Sequence, residues 1–122
     1  MPNFPLLSDK ELPRGFRYPR HFLRLVEHGM TDIQPWYVLD AEIAGETRKG
    51  MSKRYSSRVL IPFAARQDND DVACWEIGRG EAVVVIHDFA SPGWEVEAEF
   101  PSFHDWLRRA FEDFIEWSEL GE

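Results

Sequence analysis

The pattern of hydrophobic and polar positions is clearest in the second half of the chain, where short apolar runs are separated by polar turns. Such a pattern is typical of strands joined by hairpins. We predict strands over residues 36–39, 59–63, 72–77, 82–89 and 94–100, with turns at 68–71, 78–80 and 91–93. The run 82–86 is apolar throughout, which indicates a central strand covered on both faces. Pro62 places its strand at an edge of the sheet or at the strand's own end, because proline cannot donate to the ladder.

Helical patterns precede and follow these strands. Pro19 suits the first position of a short helix that ends near His28, with Gly29 as its stop. Near the C-terminus, Ser102 is a natural N-cap, and the apolar residues after it recur at helical spacing. They are Phe103, Trp106, Leu107, Ala110, Phe111, Phe114 and Trp117. We expect this stripe to lie on the sheet.

Two segments carry a distinctive charge pattern. Residues 94–100 alternate strictly, which predicts a dry face and an acidic, solvated face. The dry face would hold Trp94, Val96, Ala98 and Phe100, and the solvated face Glu95, Glu97 and Glu99. Residues 45–58 are basic and contain two Gly and three Ser. We predict an exposed loop there, because no glycine-rich turn leads from it into a helix as a phosphate-binding site would require.

These elements predict a single domain spanning residues 1–122 of the α+β class. Its antiparallel sheet would have about four to six strands, flanked by an N-terminal helix and a long C-terminal amphipathic helix. Residues 1–18 contain Pro2, Pro5 and Pro13, which favour an irregular lead-in. A chain of 122 residues can bury a core without a metal or a disulfide.

The net charge of −8 is unevenly distributed. Residues 1–58 carry ten Lys or Arg against seven Asp or Glu, whereas residues 59–122 carry four against fifteen. A field of that sign repels nucleic acid and anionic membranes and attracts cationic proteins. We therefore expect a protein partner of basic character, and neither nucleic acid nor membrane. The pattern does not indicate an oligomeric state.

The chain has one cysteine, Cys74, inside an apolar run, which favours a reducing compartment. No apolar stretch is long enough for a signal peptide or a membrane span. We predict a cytoplasmic location.

Three candidate chemistries have a simpler structural interpretation. His87-Asp88 resembles the pair of metal-dependent phosphohydrolases, but the other histidines do not repeat a ligand spacing. Residues 68–71 lack the central glycine and the glutamate of a calcium loop. Cys74 and His87 could form a nucleophile and a base, but nothing near the thiol would lower its pKa. We predict no catalytic, cofactor-binding or metal-binding residues.

Short motifs from Leu60 to Trp106 follow one another in an order that resembles the SUKH superfamily. The motifs are Ile61-Pro62-Phe63-Ala64, the acidic turn 68–71, the strands 72–75 and 83–88, and the helix start 103–107. Residues 18–29 look like the family's opening helix. That superfamily includes yeast cell-wall assembly regulators and many bacterial toxin-immunity proteins. The basic segment 45–58 and the acidic turn, in place of a glycine-rich one, depart from the family pattern.

The resemblance implies an α+β fold and a binding role without catalytic residues. Our leading hypothesis is an immunity protein that neutralises a cationic toxin. The alternatives are a scaffold or regulatory interaction domain without a toxin partner, and a metal-dependent hydrolase. The carboxylates that we predict to contact the partner are Asp68, Asp70, Asp71, Glu95, Glu97 and Glu99.

Overall fold

The computed structural model describes residues 4–120, so the first three residues of the predicted lead-in lie outside the described part. The helices are α1 (Arg20–Glu27), α2 (Ala41–Arg54) and α3 (Phe103–Leu120). The strands are β1 (Asp32–Ile33), β2 (Trp36–Val38), β3 (Leu60–Arg66), β4 (Asp71–Glu76), β5 (Val83–His87) and β6 (Val96–Phe100). The predicted α+β class, with an N-terminal and a C-terminal helix, is confirmed.

The six strands form one antiparallel sheet in the order β1-β2-β3-β4-β5-β6. Each strand therefore pairs with the next one in sequence. The five predicted strands correspond to β2 through β6, and only the two-residue strand β1 has no sequence signal. As predicted, β5 lies inside the sheet, and its residues 83–86 are buried.

The prediction for Pro62 is wrong, because β3 lies between β2 and β4 and the proline is inside the strand. The register of β3 against β4 shifts between Pro62 and Ala64. This bulge makes Phe63 an extra residue, and the carbonyl of Phe63 accepts a hydrogen bond from the Leu39 amide at 2.9 Å. A bulge accommodates proline because the ladder is interrupted there.

One face of the sheet is covered by α1 and α3 through an aromatic cluster. Trp75 stacks on Phe63 with ring centroids 4.1 Å apart, and Phe22 and Trp106 meet these rings edge to face. Phe103, Trp106 and Ala110 are buried, which confirms that the predicted stripe lies on the sheet over the first two turns of α3. Burial decreases along the rest of the stripe, because Leu107 and Phe111 are half-buried and Phe114 is exposed.

The predicted loop over residues 45–58 is wrong, because most of it belongs to α2. Asp40 caps this helix by accepting a hydrogen bond from the Ile43 amide at 3.0 Å. The buried residues of α2 are Ala44 and Met51, and the Met51 sulfur lies 4.0 Å from the sulfur of Cys74. Two buried positions and two glycines give too weak a helical pattern for the sequence to indicate α2.

Cys74 is fully buried in β4, and this burial raises the pKa of its thiol well above the usual value. Such a thiol is a packing group and not a nucleophile. Over the described residues, no helix combines the length and the apolar character that crossing a bilayer requires.

Candidate functional site

The loop joining β5 to β6, residues 88–95, presents two aromatic side chains to solvent. Phe89 is 67% exposed and Trp94 is 82% exposed, more than any other large hydrophobic residue in the described part of the chain. Aromatic side chains carry a large apolar surface that is stabilised by contact with another molecule. We take residues 88–95 as the candidate functional site and call them the aromatic loop.

The exposure of Trp94 overturns the predicted alternation over residues 94–96, whereas Glu97 and Glu99 are exposed and Ala98 and Phe100 are half-buried, as predicted. Glu95, expected in solvent, is 6% exposed, whereas Val96, expected on the dry face, is exposed. The register of β6 against β5 explains the difference: Val96 pairs with Ile86 but Ala98 pairs with Val85, so Glu97 is an extra residue. A bulge of this kind reverses the alternation of side chains on either side of it.

A partly buried ion pair fixes the start of the aromatic loop. Arg54, the last residue of α2, donates two hydrogen bonds of 2.8 Å to the carboxylate of Asp88. The Asp88 side chain is only 6% exposed, so the bidentate arginine compensates for the burial of its charge. Gly50 makes room for this arginine, because a Cβ at that position would lie 2.8 Å from Nη2 of Arg54.

Phe89 adopts a backbone conformation that is unfavourable for its residue type. Its φ is +71°, and no other non-glycine residue in the described part has a positive φ. The Phe89 amide donates to the Asp88 carboxylate at 2.9 Å, and the guanidinium carbon of Arg54 lies 4.1 Å from the centre of the Phe89 ring. Such strain costs on the order of 1–3 kcal/mol and persists only where neighbouring contacts enforce it. The Arg54–Asp88 pair supplies those contacts.

Two residues that follow Arg54 hold the rest of the aromatic loop. The Tyr55 hydroxyl donates to the carbonyl of Ala90 at 2.8 Å. Arg58 donates to Glu95 at 2.7 Å, and this hydrogen bond holds the pKa of the Glu95 carboxyl below its usual value. The other carboxylate oxygen of Glu95 accepts from the Gly93 amide at 2.6 Å. The aromatic loop is therefore fixed at both ends before any partner arrives.

A shallow groove of about 370 Å³ lies beside Phe89, between α2 and the hairpin that joins β3 to β4. Its walls include the rings of Tyr37 and Phe89 and the carboxylates of Glu46 and Asp70. Glu46 and Asp70 form no ion pair with any residue whose side chain the structure describes. Aromatic rings beside free carboxylates suit a basic side chain.

The six carboxylates predicted to contact a partner are not equivalent in the structure. Asp68 pairs with Arg66 at 2.8 Å, Glu95 with Arg58, and Glu99 with Arg79. Asp71 lies 2.8 Å from the imidazole Nδ1 of His87. Only Asp70 and Glu97 are exposed without an ion-pair partner among the described side chains. The acidic row predicted over Glu95, Glu97 and Glu99 is therefore interrupted at Glu95.

The structure separates His87 from Asp88, the pair considered for a metal-dependent hydrolase. Their side chains leave the strand in different directions, Asp88 to Arg54 and His87 to Asp71. The hydrogen bond to Asp71 raises the pKa of His87. Asp88 follows the last residue of β5, so its side chain takes its direction from the loop and not from the strand.

Sequence reasoning missed the residues that matter most here: Arg54, Tyr55, Arg58, Phe89 and Trp94. One signal was available. Residues 1–58 contain ten basic side chains and residues 59–122 contain fifteen acidic ones. This difference in charge favours ion pairs between the two halves of the chain. The φ of Phe89 and the bulge at Glu97 leave no such trace, because both depend on the tertiary arrangement.

Comparison with protein-family models, curated proteins and solved structures gave no match. The resemblance to the SUKH superfamily stays a prediction.

Proposed function

We propose that this chain is a non-enzymatic protein-binding domain that acts as an immunity protein, neutralising a basic toxin domain in the cytoplasm. The observation that carries the proposal is the aromatic loop, whose two exposed rings stand on a backbone fixed by the partly buried Arg54–Asp88 pair and by Arg58. The rings are the anchors, and the ion pairs keep them in position.

The shape of this surface favours a protein as the ligand. Small-molecule sites are concave and enclose most of their ligand, whereas Phe89 and Trp94 protrude into solvent. Protruding aromatic residues are the usual hot spots of protein interfaces. A loop that is already ordered loses little conformational entropy on binding, so more of the contact energy appears as affinity.

The charge around the aromatic loop supports a basic partner. Asp70 and Glu97 provide free carboxylates near it, and the whole chain carries a net charge of −8. Long-range attraction of this kind mainly raises the association rate, and the aromatic contacts then set the residence time. We expect association to slow as the salt concentration rises, because screening shortens the range of the attraction.

The test uses the purified chain to capture proteins from its native cell, in three parallel forms. These are the wild type, the double variant Phe89→Ala/Trp94→Ala, and the control Ile115→Ala, which removes an exposed apolar side chain from α3. A specific partner binds the wild type and the control but not the double variant.

That partner is then produced alone and together with this chain. We expect it to inhibit growth alone and to be harmless in the presence of the wild-type chain. A partner without toxicity would favour the scaffold alternative. Capture that is equal for all three forms would contradict a role for the aromatic loop.

A further inference from the structure

A second polar cluster occupies three neighbouring strands. Asp71 is the first residue of β4, His87 is the last residue of β5, and Glu97 lies in β6. One donor atom from each of these side chains lies within 4.8 Å of the other two. None of the contacts that fix the aromatic loop uses these three side chains.

The backbone brings the three residues together. Asp71 and His87 are direct partners in the β4–β5 ladder, and the imidazole Nδ1 lies 2.8 Å from a carboxylate oxygen of Asp71. Glu97 is the extra residue of the β6 bulge. Bulges redirect a side chain, and this one directs the Glu97 carboxylate towards His87.

The charge balance of this cluster differs from that of the surrounding carboxylates. Four carboxylates on β4, β6 and the aromatic loop each pair with an arginine: Glu76, Asp88, Glu95 and Glu99. Asp71 and Glu97 do not pair with any arginine or lysine among residues 4–117. Two carboxylates thus converge on a single imidazole, whose protonated form can balance only one of the two negative charges.

We propose that Asp71, His87 and Glu97 bind a divalent first-row transition-metal ion, with Zn²⁺ as the representative. An imidazole nitrogen with two carboxylate oxygens suits such ions, whereas Mg²⁺ and Ca²⁺ favour oxygen ligands alone. Zinc binds these donors at about 2.0–2.2 Å in tetrahedral geometry. The 2.8 Å between Nδ1 and the Asp71 oxygen is a hydrogen bond, which the ion would replace as the two side chains move apart by about 0.6 Å. Three protein ligands leave a coordination position open.

Isothermal titration calorimetry with ZnCl₂, on protein freed of metal by a chelator, tests the site. We expect one equivalent of Zn²⁺ to bind the wild type. The variants His87→Ala and Glu97→Gln should each weaken binding by about 100-fold or more, because even loss of an outer-shell partner of a metal site costs about 10–100-fold. Glu97 is exposed, so its substitution should leave the fold intact. The absorption spectrum of Co²⁺ added in place of Zn²⁺ would report nitrogen and oxygen ligation independently.

Two controls make the result specific. Glu99→Gln changes a carboxylate on the same strand that pairs with Arg79, and it should leave Zn²⁺ affinity unchanged. His21→Ala/His104→Ala removes two imidazoles whose rings lie 4.3 Å apart and could bind zinc themselves. The proposal is overturned if the wild type binds no Zn²⁺ at about 100 µM. The Kd would then lie in the millimolar range, which is too weak for a site built to bind the ion. Retention of full affinity in His87→Ala and Glu97→Gln, or loss of Zn²⁺ binding in the His21/His104 variant, would equally overturn it.

Discussion

The two faces of the sheet are covered by different kinds of contact. Under α1 and the first turns of α3 the contacts are aromatic, with Trp75 and Trp106 each 1% exposed, and further along α3 Asp113 accepts a hydrogen bond from Trp36 at 3.0 Å. On the side of α2, the end of the helix makes directional polar contacts from Arg54, Tyr55 and Arg58 to the aromatic loop. The hydrophobic effect of burying these rings is non-directional and stabilises the whole domain, whereas the hydrogen-bonded ion pairs fix one local geometry. Substitutions on the two sides should therefore have different consequences.

The largest effect is expected in the aromatic cluster. Trp106→Ala should lower the free energy of unfolding by about 3–5 kcal/mol, because it removes a buried ring and leaves a cavity. Urea unfolding followed by circular dichroism measures the change. Phe114→Ala, on the exposed part of the same helix, is the matched control and should cost less than about 1 kcal/mol. Similar losses for both variants would mean that the first turns of α3 do not anchor the domain.

The second effect concerns the partly buried ion pair. Arg54→Ala leaves the Asp88 carboxylate buried without its partner and should lower the free energy of unfolding by about 1–3 kcal/mol. It should also release the aromatic loop, which hydrogen exchange at the Phe89 amide would detect as faster exchange. Arg108→Ala, an exposed residue on α3, should change neither quantity. Normal protection of the Phe89 amide in Arg54→Ala would show that the pair does not hold the loop.

The two glycines of α2 allow the effect of helix propensity to be measured apart from the steric effect of the Arg54 side chain. At Gly45 the nearest atom to an added Cβ is 4.0 Å away, so Gly45→Ala should stabilise α2 by about 1 kcal/mol. At Gly50 the same Cβ would meet the Arg54 guanidinium at 2.8–3.0 Å, and the gain should be cancelled or reversed.

The substitution at Gly50 can also be tested in a protein that lacks the Arg54 side chain. In an Arg54→Ala background, Gly50→Ala should recover the full stabilisation of about 1 kcal/mol. The denaturant midpoints of Gly45→Ala, Gly50→Ala, Arg54→Ala and the double variant Gly50→Ala/Arg54→Ala measure these differences in stability. An equal gain at Gly45 and Gly50 in the wild-type background would argue that Arg54 moves aside at no cost.

The contrast between the two faces also explains what the sequence could predict. The pattern of apolar residues reports burial, so it indicated β2 to β6, the Ser102 cap and the start of the α3 stripe. It failed for α2, whose fully buried residues are only Ala44 and Met51 and whose C-terminal end makes polar contacts from Arg54. Hydrophobic periodicity does not detect a helix with so few buried apolar positions.

Bulges account for the remaining errors in the sheet. The bulges at Phe63 and Glu97 each insert one residue. Pro62 inside a strand is compatible with a bulge, whereas nothing in the local sequence marks the bulge at Glu97. The bulge at Phe63 makes room for Pro62 inside an interior strand. Because of the bulge at Glu97, Glu95 is buried and Trp94 is exposed, so the predicted dry and solvated faces are inverted over residues 94–96. The candidate site depends on this inversion, and for that reason sequence reasoning placed its residues incorrectly.

Strain at Phe89 gives a further prediction about the aromatic loop. Glycine tolerates a positive φ, so Phe89→Gly should be more stable than Phe89→Ala by about 1 kcal/mol, since alanine keeps the strain. Both variants lose the exposed ring and should bind the partner equally poorly. Thermal unfolding of the two proteins measures the difference. Equal stability would indicate that the backbone at position 89 relaxes when the ring is absent.

The smallest effect is expected for the ion pair of Asp68 with Arg66, which is more exposed than the Arg54–Asp88 pair on its carboxylate side. The hydrogen bond from Arg66 holds the pKa of Asp68 below its usual value. A carboxyl with a lowered pKa in the folded state stabilises the domain above its unfolded pKa. That contribution is lost as the pH falls through the folded pKa.

Asp68→Asn should therefore be less stable than the wild type at pH 7, by less than about 1 kcal/mol because the pair is partly screened. The difference between the two proteins should shrink as the pH falls below about 4, the usual carboxyl range. Urea midpoints at several pH values test this trend. A difference that stays constant down to the acid limit would show that the Asn variant loses packing and not charge. In that event polar pairing would matter mainly where it is buried, at the end of α2.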